Sequence, residues 1–271
     1  MSATNRVARL ASRALVALGG QDWRTFLQGL VTQDVETLRP GEQRFGALLT
    51  PQGRLLFDLF IVGREDGCWV DCAAERRTAL IQRLAIYRLR AKVTLEADDT
   101  PVLAAWGGDE PPPGAGWALD PRLPALGWRG YGAAAESDAA EADHDAHRLA
   151  LGVPGPADWA DEATYPIEAN FDLLNGIDFR KGCFVGQETT SRMKRRGQVR
   201  SRMLPLVLDG PAPASGLEVL AGALRAGEVL SGGEGRAMAL LRLDRIEGAQ
   251  LTADGRPVRV ERPDWMASSG A

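Results

Sequence analysis

The first hundred residues alternate short apolar runs with two stripes of helical period. Residues 14–18 are an apolar run closed by Gly19-Gly20, the pattern of a strand and a turn. Asp22 is placed to cap a helix in which Trp23, Phe26, Leu27, Leu30 and Val31 recur at helical spacing. Residues 45–49 and 54–62 read as strands joined by the turn Thr50-Pro51-Gln52-Gly53. Glu65-Asp66-Gly67 then turns into a third strand at 68–72, which makes an antiparallel meander. The clearest helix is 74–90, where Leu80, Leu84, Tyr87 and Ala91 form one stripe and Arg76, Arg77, Arg83 and Arg90 lie among the charged positions between them. Residues 92–97 and 102–106 read as further strands. This order predicts an α+β layer with helices on one face of an antiparallel sheet.

Beyond that region the pattern weakens. Residues 109–116 hold three consecutive prolines and read as an irregular loop. Residues 130–145 are Ala-rich and acidic and read as a mobile connection or surface hairpin, with a short helix at 147–151 stopped by Gly152-Val153-Pro154. Ile167, Phe171 and Leu174 have helical spacing closed by Asn175-Gly176, and a polar helix is expected at 187–194. After Gly197 short β-like runs recur at 203–208, 217–220, 228–230, 237–243 and 258–260, punctuated by Gly, Pro and Asp254-Gly255 turns. They predict a small C-terminal barrel or sandwich.

Composition narrows the class. The chain has 271 residues, 45% of them hydrophobic, so one to three domains with a sizeable core are expected. A net charge of −4 implies no overall polyanion-binding field, and direct nucleic-acid binding is not expected. Three unevenly spaced cysteines make no disulfide framework and point to a reducing, cytoplasmic compartment. No apolar run reaches the length of a membrane span, and the N-terminus lacks the apolar core of a signal peptide.

The segment with the most chemical content is Lys181-Gly182-Cys183-Phe184-Val185-Gly186-Gln187-Glu188. A thiol just before a helix, next to Arg180 and Lys181, is placed to favour thiolate, and Gly182 and Gly186 allow tight turns or close approach of a ligand. A buried cysteine in a Gly-bounded turn is the alternative. Cys68 and Cys72, four apart on a strand, are about 13 Å apart along it, too far for one metal or a disulfide, and read as core. His144 and His147 with Asp143 and Asp145 fall short of the rigid four-ligand set of a structural metal site, and no metal is expected. Asp58 lies on an apolar strand, either exposed by period-two alternation or buried and paired or used. Glu168 follows Tyr165-Pro166-Ile167; it suits a helix first turn, or it receives a planar pair of N–H donors from a ligand such as a pterin. Arg192, Lys194, Arg195, Arg196, Arg200 and Arg202 form a basic cluster, dense enough to attract an anion and without interleaved aromatics.

The octapeptide resembles the K-G-C-[FY]-x-G-Q-E signature of the YgfZ family of folate-binding proteins, relatives of the glycine-cleavage T-protein (GcvT, aminomethyltransferase). The resemblance extends through residues 26–34, Gln52-Gly53-Arg54, residues 148–154, Glu168-Ala169-Asn170 and Ser191-Arg192-Met193. It implies two mixed α/β subdomains and a C-terminal β-barrel: a discontinuous first subdomain (1–48 and 146–198), a second at 49–145, and the barrel at 199–271. It further implies a tetrahydrofolate-binding protein, or one for a one-carbon derivative, that supports assembly, maintenance or repair of iron–sulfur enzymes, tRNA-modifying ones included. Its partners would be iron–sulfur proteins or assembly factors. By that resemblance Cys183 is the functional cysteine, with Lys181, Gly182, Gly186, Gln187 and Glu188 as the rest of the signature. Glu168 holds the pterin, Arg192, Arg195 and Arg196 meet the tail carboxylates, and Asp58 stands at or beside the catalytic Asp of T-proteins. Those enzymes show Gly-Gly-Ile-Leu-Asp-Asp-Leu where this chain has Phe57-Asp58. One acid is missing, which counts against aminomethyl transfer itself and leaves a related one-carbon transferase as the alternative.

Overall fold

The computed structural model describes residues 4–159, 162–197 and 199–267. The chain divides into two compact units, Met1–His144 with Leu174–Gln187, and Asp145–Leu173 with Glu188–Ala271.

The first unit contains β1 (Arg6–Arg9), β2 (Arg13–Gly19), α1 (Trp23–Gln28), β3 (Gln43–Leu49), β4 (Leu55–Arg64), β5 (Gly67–Ala73), α2 (Arg77–Arg88), β6 (Thr94–Asp98), β7 (Val102–Trp106), β8 (Trp117–Leu119) and β9 (Trp128–Tyr131). The expected strands and both helices are present. α1 stops at Gln28, short of Val31, and Asp22 does not cap it; its carboxylate instead accepts the Lys92 N–H at 2.8 Å. Five strands pair in the order β3-β4-β5-β2-β6. A second sheet, β1-β7-β9-β8, was not expected, because β1, β8 and β9 are only three or four residues long and carry too little pattern to register.

This second sheet covers the face on which Asp58 sits. Leu59 and Ile61 of β4 join Leu27, Leu80 and Leu84 in the core beneath the helices. Val62, of the same parity as Asp58, packs with Leu15, Val102, Ala104 and Tyr131 in a core between the sheets. Alternation does put Asp58 opposite Phe57, but both faces of β4 are covered, and Asp58 is only 6% exposed. Cys68 and Cys72 are core residues, as expected, and burial pushes both thiols up to about 12. The stretch 130–145 is not connection alone: α3 (Glu141–Ala150) begins inside it, and His144 is buried against Trp106 with ring centroids 5.4 Å apart.

In the second unit the expected helix at 167–174 is a series of turns. Asn170 adopts φ +61°, which ends any helical run, and its amide donates to the Met203 carbonyl at 2.8 Å. The polar helix is present as α4 (Gln187–Arg196). It is followed by β10 (Ser201–Pro211), β11 (Glu218–Ala221), β12 (Leu224–Gly232), β13 (Glu234–Arg242), α5 (Leu243–Ile246), β14 (Leu251–Ala253), β15 (Arg256–Val260) and α6 (Asp264–Ala267). The strands close into a six-stranded antiparallel barrel, β10-β13-β12-β11-β14-β15. Alternate residues fill it, among them Leu204, Leu206, Leu208, Ala237, Ala239 and Leu241. Among the described residues no helix is long and apolar enough to cross a membrane.

Candidate functional site

The Cys183 segment has no regular structure, so its shape is set by what holds it. The Asp178 N–H donates to the Thr32 carbonyl at 2.9 Å. The Asp178 carboxylate accepts the N–H groups of Arg180 and Lys181 at 2.7 and 3.2 Å. Lys181 Nζ donates to three carbonyls, those of Gln28 (2.6 Å), Val31 (2.6 Å) and Gln33 (3.1 Å). Gln28 ends α1, where carbonyls lack an intrahelical partner and a cation is favoured. Burial pushes the Lys181 amine down to about 8, against the pull of Asp34, Asp178 and Glu36. The Phe184 side chain is buried, with its ring 5.3 Å from Lys181 Nζ, and the Val185 N–H donates to the Gly29 carbonyl at 3.2 Å. Gly186 has φ +81°, and a Cβ there would lie 2.6 Å from the Thr50 carbonyl oxygen. Between these fixed points Gly182 and Cys183 are exposed. Three residues stand between Cys183 and α4, so the thiol is not at the helix cap.

The two glycines therefore differ. Gly186 is required by its backbone angle and by the turn it packs on. Gly182 has no heavy atom within 4 Å of a built Cβ and no left-handed φ, so the fold does not require it.

Asp58 belongs to a buried ion network between the two sheets. Arg13 donates to the Asp58 carboxylate at 2.7 Å and to the Asp71 carboxylate at 2.6 Å. Arg129 and the Tyr131 hydroxyl donate to the other Asp71 oxygen at 2.6 and 2.8 Å. Asp120 pairs with Arg122 in a fork, at 3.0 and 2.8 Å. Burial alone would raise Asp71, but Arg13 and Arg129 outweigh it and hold its carboxyl below the usual range. Arg122 and Arg129 do the same for Asp120. The three arginines also lie over the Phe60 ring, Arg129 at 3.8 Å. Three cations and three carboxylates balance inside this layer, and Asp58 is one of them.

Glu168 lies in the second unit, half-buried, on the turns that replace the expected helix. One carboxylate oxygen accepts the Tyr165 N–H at 3.1 Å. The turn is fixed from below: the Met203 N–H donates to the Glu168 carbonyl (2.8 Å), while Arg202 donates to the Ile167 carbonyl (2.9 Å), to Asn170 (3.0 Å) and in a fork to Asp172 (both 2.9 Å). Arg202 is therefore a structural clamp and not part of an open basic patch. Arg192 is exposed and pairs with Glu188 at 2.5 Å, and Arg195 is exposed. The Arg196 side chain lies outside the described residues. Asp58 and Cys183 belong to one unit and Glu168, Arg192 and Arg195 to the other.

Comparison with known proteins decides the family. Aligned over 96% of its length, the chain is 30% identical to the mouse mitochondrial iron–sulfur cluster assembly factor IBA57, of which it covers 85%. The chain belongs to the IBA57 family. A relative from Mycosarcoma maydis, a mitochondrial IBA57 homologue, is 35% identical over 79% of this chain, which spans only 60% of that protein. Residues 200–268 match the CAF17 C-terminal β-barrel domain. Among solved structures, the glycine cleavage system aminomethyltransferase T from Bartonella henselae superposes with TM-score 0.74 at 18% identity, covering 96% of this chain and 85% of that one. This GcvT-like fold, with its six-stranded barrel, is the fold expected from the YgfZ resemblance, and the IBA57 family is YgfZ-like. The relatives' names place those proteins in mitochondria, so the comparisons lend the cytoplasmic expectation no support.

Within this IBA57-family chain, sequence reasoning missed the partners that hold the candidate residues. Arg13, Arg129 and the carbonyl cage around Lys181 join positions far apart in the chain. The available signal was that Asp58 and Asp71 each interrupt an apolar run, which calls for a cation wherever both faces of the strand are covered. Among the described residues no group of three or more His, Cys, Asp or Glu side chains is placed to hold a metal.

Proposed function

We propose that this chain is a tetrahydrofolate-binding protein that supports the assembly, maintenance or repair of iron–sulfur enzymes, tRNA-modifying ones included. The observation that carries this reading is the contrast among the three thiols. Cys68 and Cys72 are buried and inert, whereas Cys183 is exposed on a segment held on both sides. A thiol so presented can meet a second macromolecule. One thiol cannot hold a cluster, which normally takes four thiolates or equivalents, so a partner protein supplies the rest. On this reading Glu168 receives the pterin, and Arg192, Arg195 and Arg196 meet the tail carboxylates. The names of the IBA57 relatives support the iron–sulfur role, and the GcvT-like fold supports the folate.

One-carbon transfer is the weaker reading. It needs a free acid or base, and Asp58 is buried and already accepts from Arg13.

Two measurements test the proposal. Tetrahydrofolate titration followed by tryptophan fluorescence should saturate for the native chain and fail for Glu168→Ala. In cells lacking the native protein, Cys183→Ala should fail to restore iron–sulfur enzyme activity. Full rescue by Cys183→Ala would overturn the role of the thiol, and absence of folate binding would overturn that of the ligand.

A further inference from the structure

The outward side of α2 and the chain just beyond it carry a feature unrelated to the Cys183 segment. Between Ala74 and Val93 stand six basic residues, Arg76, Arg77, Arg83, Arg88, Arg90 and Lys92, against one acid, Glu75, on a chain of net charge −4. Arg76 and Arg77 are engaged: Arg76 donates to the Leu56 carbonyl, and Arg77 pairs with Asp99. Arg83, Arg88 and Arg90 form no ion pair among the described residues. Beside them are two of the most exposed large apolar side chains in the protein, Ile86 at 66% and Leu89 at 89%.

Leu89 is also strained. It terminates α2 with φ +42° and ψ −106°, a conformation costly for a residue with a Cβ. Glycine would relieve the strain, and a polar residue would suit the exposure. A leucine is doubly unfavourable there for folding, so a use outside the fold is the simplest account of it.

We propose that this end of α2 is a docking surface for an acidic protein segment that carries apolar side chains of its own. The two halves of the surface ask for one occupant. Uncompensated guanidinium groups favour carboxylates, and Ile86 and Leu89 gain only from an apolar floor. A bilayer fits less well. The apolar stripe of α2, Leu80 and Leu84, is already in the core, so the helix has no apolar face left to lay into lipid. Nucleic acid fits less well too, because it offers nothing to two aliphatic side chains, and the one neighbouring aromatic, Tyr87, is packed against the core. None of these residues belongs to the proposed folate site, so this surface stands or falls independently of that reading.

The test uses the full chain and a labelled synthetic peptide rich in glutamate, with leucines at helical spacing, followed by fluorescence anisotropy. Saturable binding that weakens with salt is expected. It should fall about tenfold or more in Leu89→Gly, in Ile86→Gln and in the double variant Arg88→Glu/Arg90→Glu. Leu89→Gly relaxes the backbone, so its thermal midpoint should hold or rise while binding falls, which separates docking from folding. Absence of peptide binding would overturn the proposal. So would binding that Leu89→Gly leaves unchanged, or tighter binding to phosphatidylglycerol vesicles or tRNA than to the peptide.

Discussion

Lys181 in the first unit and Arg202 in the second do the same job on different terms. Each is a partly buried cation that ties down an irregular segment carrying a candidate residue: Lys181, on the Cys183 segment, donates to the carbonyls of Gln28, Val31 and Gln33, and Arg202 donates to the Ile167 carbonyl, Asn170 and Asp172 around Glu168. Lys181 has no carboxylate within its cage, and burial pushes its amine down to about 8. Arg202 forks onto Asp172, whose side chain is 3% exposed. The same task is thus met once by a deformable point charge and once by a fixed fork. The Cys183 segment is expected to open more easily than the Glu168 turn. Under the proposed function, that difference would suit a thiol reaching a partner and a carboxylate holding its aim on a ligand.

The units differ in their buried charge as well. The first stacks two sheets across a network of three arginines and three aspartates. The second closes a barrel on aliphatic side chains, with Arg148 and Asp158 as a buried pair outside it, 3.2 Å apart. The largest expected effect follows from the network. Arg13→Met leaves Asp58 without its cation and Asp71 with Arg129 alone in a dry layer, and should cost about 3–5 kcal/mol in the first unit, read as hydrogen exchange spreading through β2, β4 and β5 while barrel amides hold. An unaffected melting profile would show that the network is dispensable.

Next in size is the contrast between the clamps. Arg202→Met leaves Asp172 buried without its cation and should cost about 3–5 kcal/mol. Lys181→Met leaves only carbonyls short of donors and should cost about 1–3 kcal/mol, with faster exchange at residues 181–187. Equal losses in denaturant melts would show that the two clamps do not differ.

Acid separates the shifted buried carboxylates of the two units by sign. Asp71 and Asp120 are held below the usual carboxylate range, so their contribution is complete above the ordinary value and is lost as pH falls through the lowered ones. Asp158 is raised, chiefly by burial, so its contribution is greatest at low pH and is lost as pH rises through the raised value. Hydrogen exchange followed from roughly pH 5 down to pH 2 should show β5 and β9 opening before β10 and β13. Simultaneous opening would contradict that order.

The smallest effect is local to the signature. Gly182→Ala should change stability by less than about 0.5 kcal/mol, whereas Gly186→Ala meets the Thr50 carbonyl and a strained φ and should be clearly destabilising. If Gly182→Ala nonetheless abolished rescue in cells, the bare backbone beside Cys183 would be needed by the partner and not by the fold.

Local pattern was enough for α2, the meander and five of the six barrel strands, because each buries one stripe or one face and repeats with a fixed period; the three-residue β14 was too short to register. Local pattern also marked Cys183, Glu168 and Asp58 as candidates, since charges and thiols in unusual settings stand out along a chain, but their roles rested on the family resemblance. It misled at 167–174, where Asn170 turns left-handed to bond with β10 and a helical spacing serves turns instead. It left Asp58 undecided, because period two says which side of a strand a residue is on but not whether another layer covers that side. Only the tertiary structure decided this, by laying β1, β7, β8 and β9 over β4 and bringing Arg13 to Asp58 across 45 residues and Lys181 to Gln28 across 153. Buried charges are satisfied by whichever partners the fold delivers, so sequence separation carries no record of them.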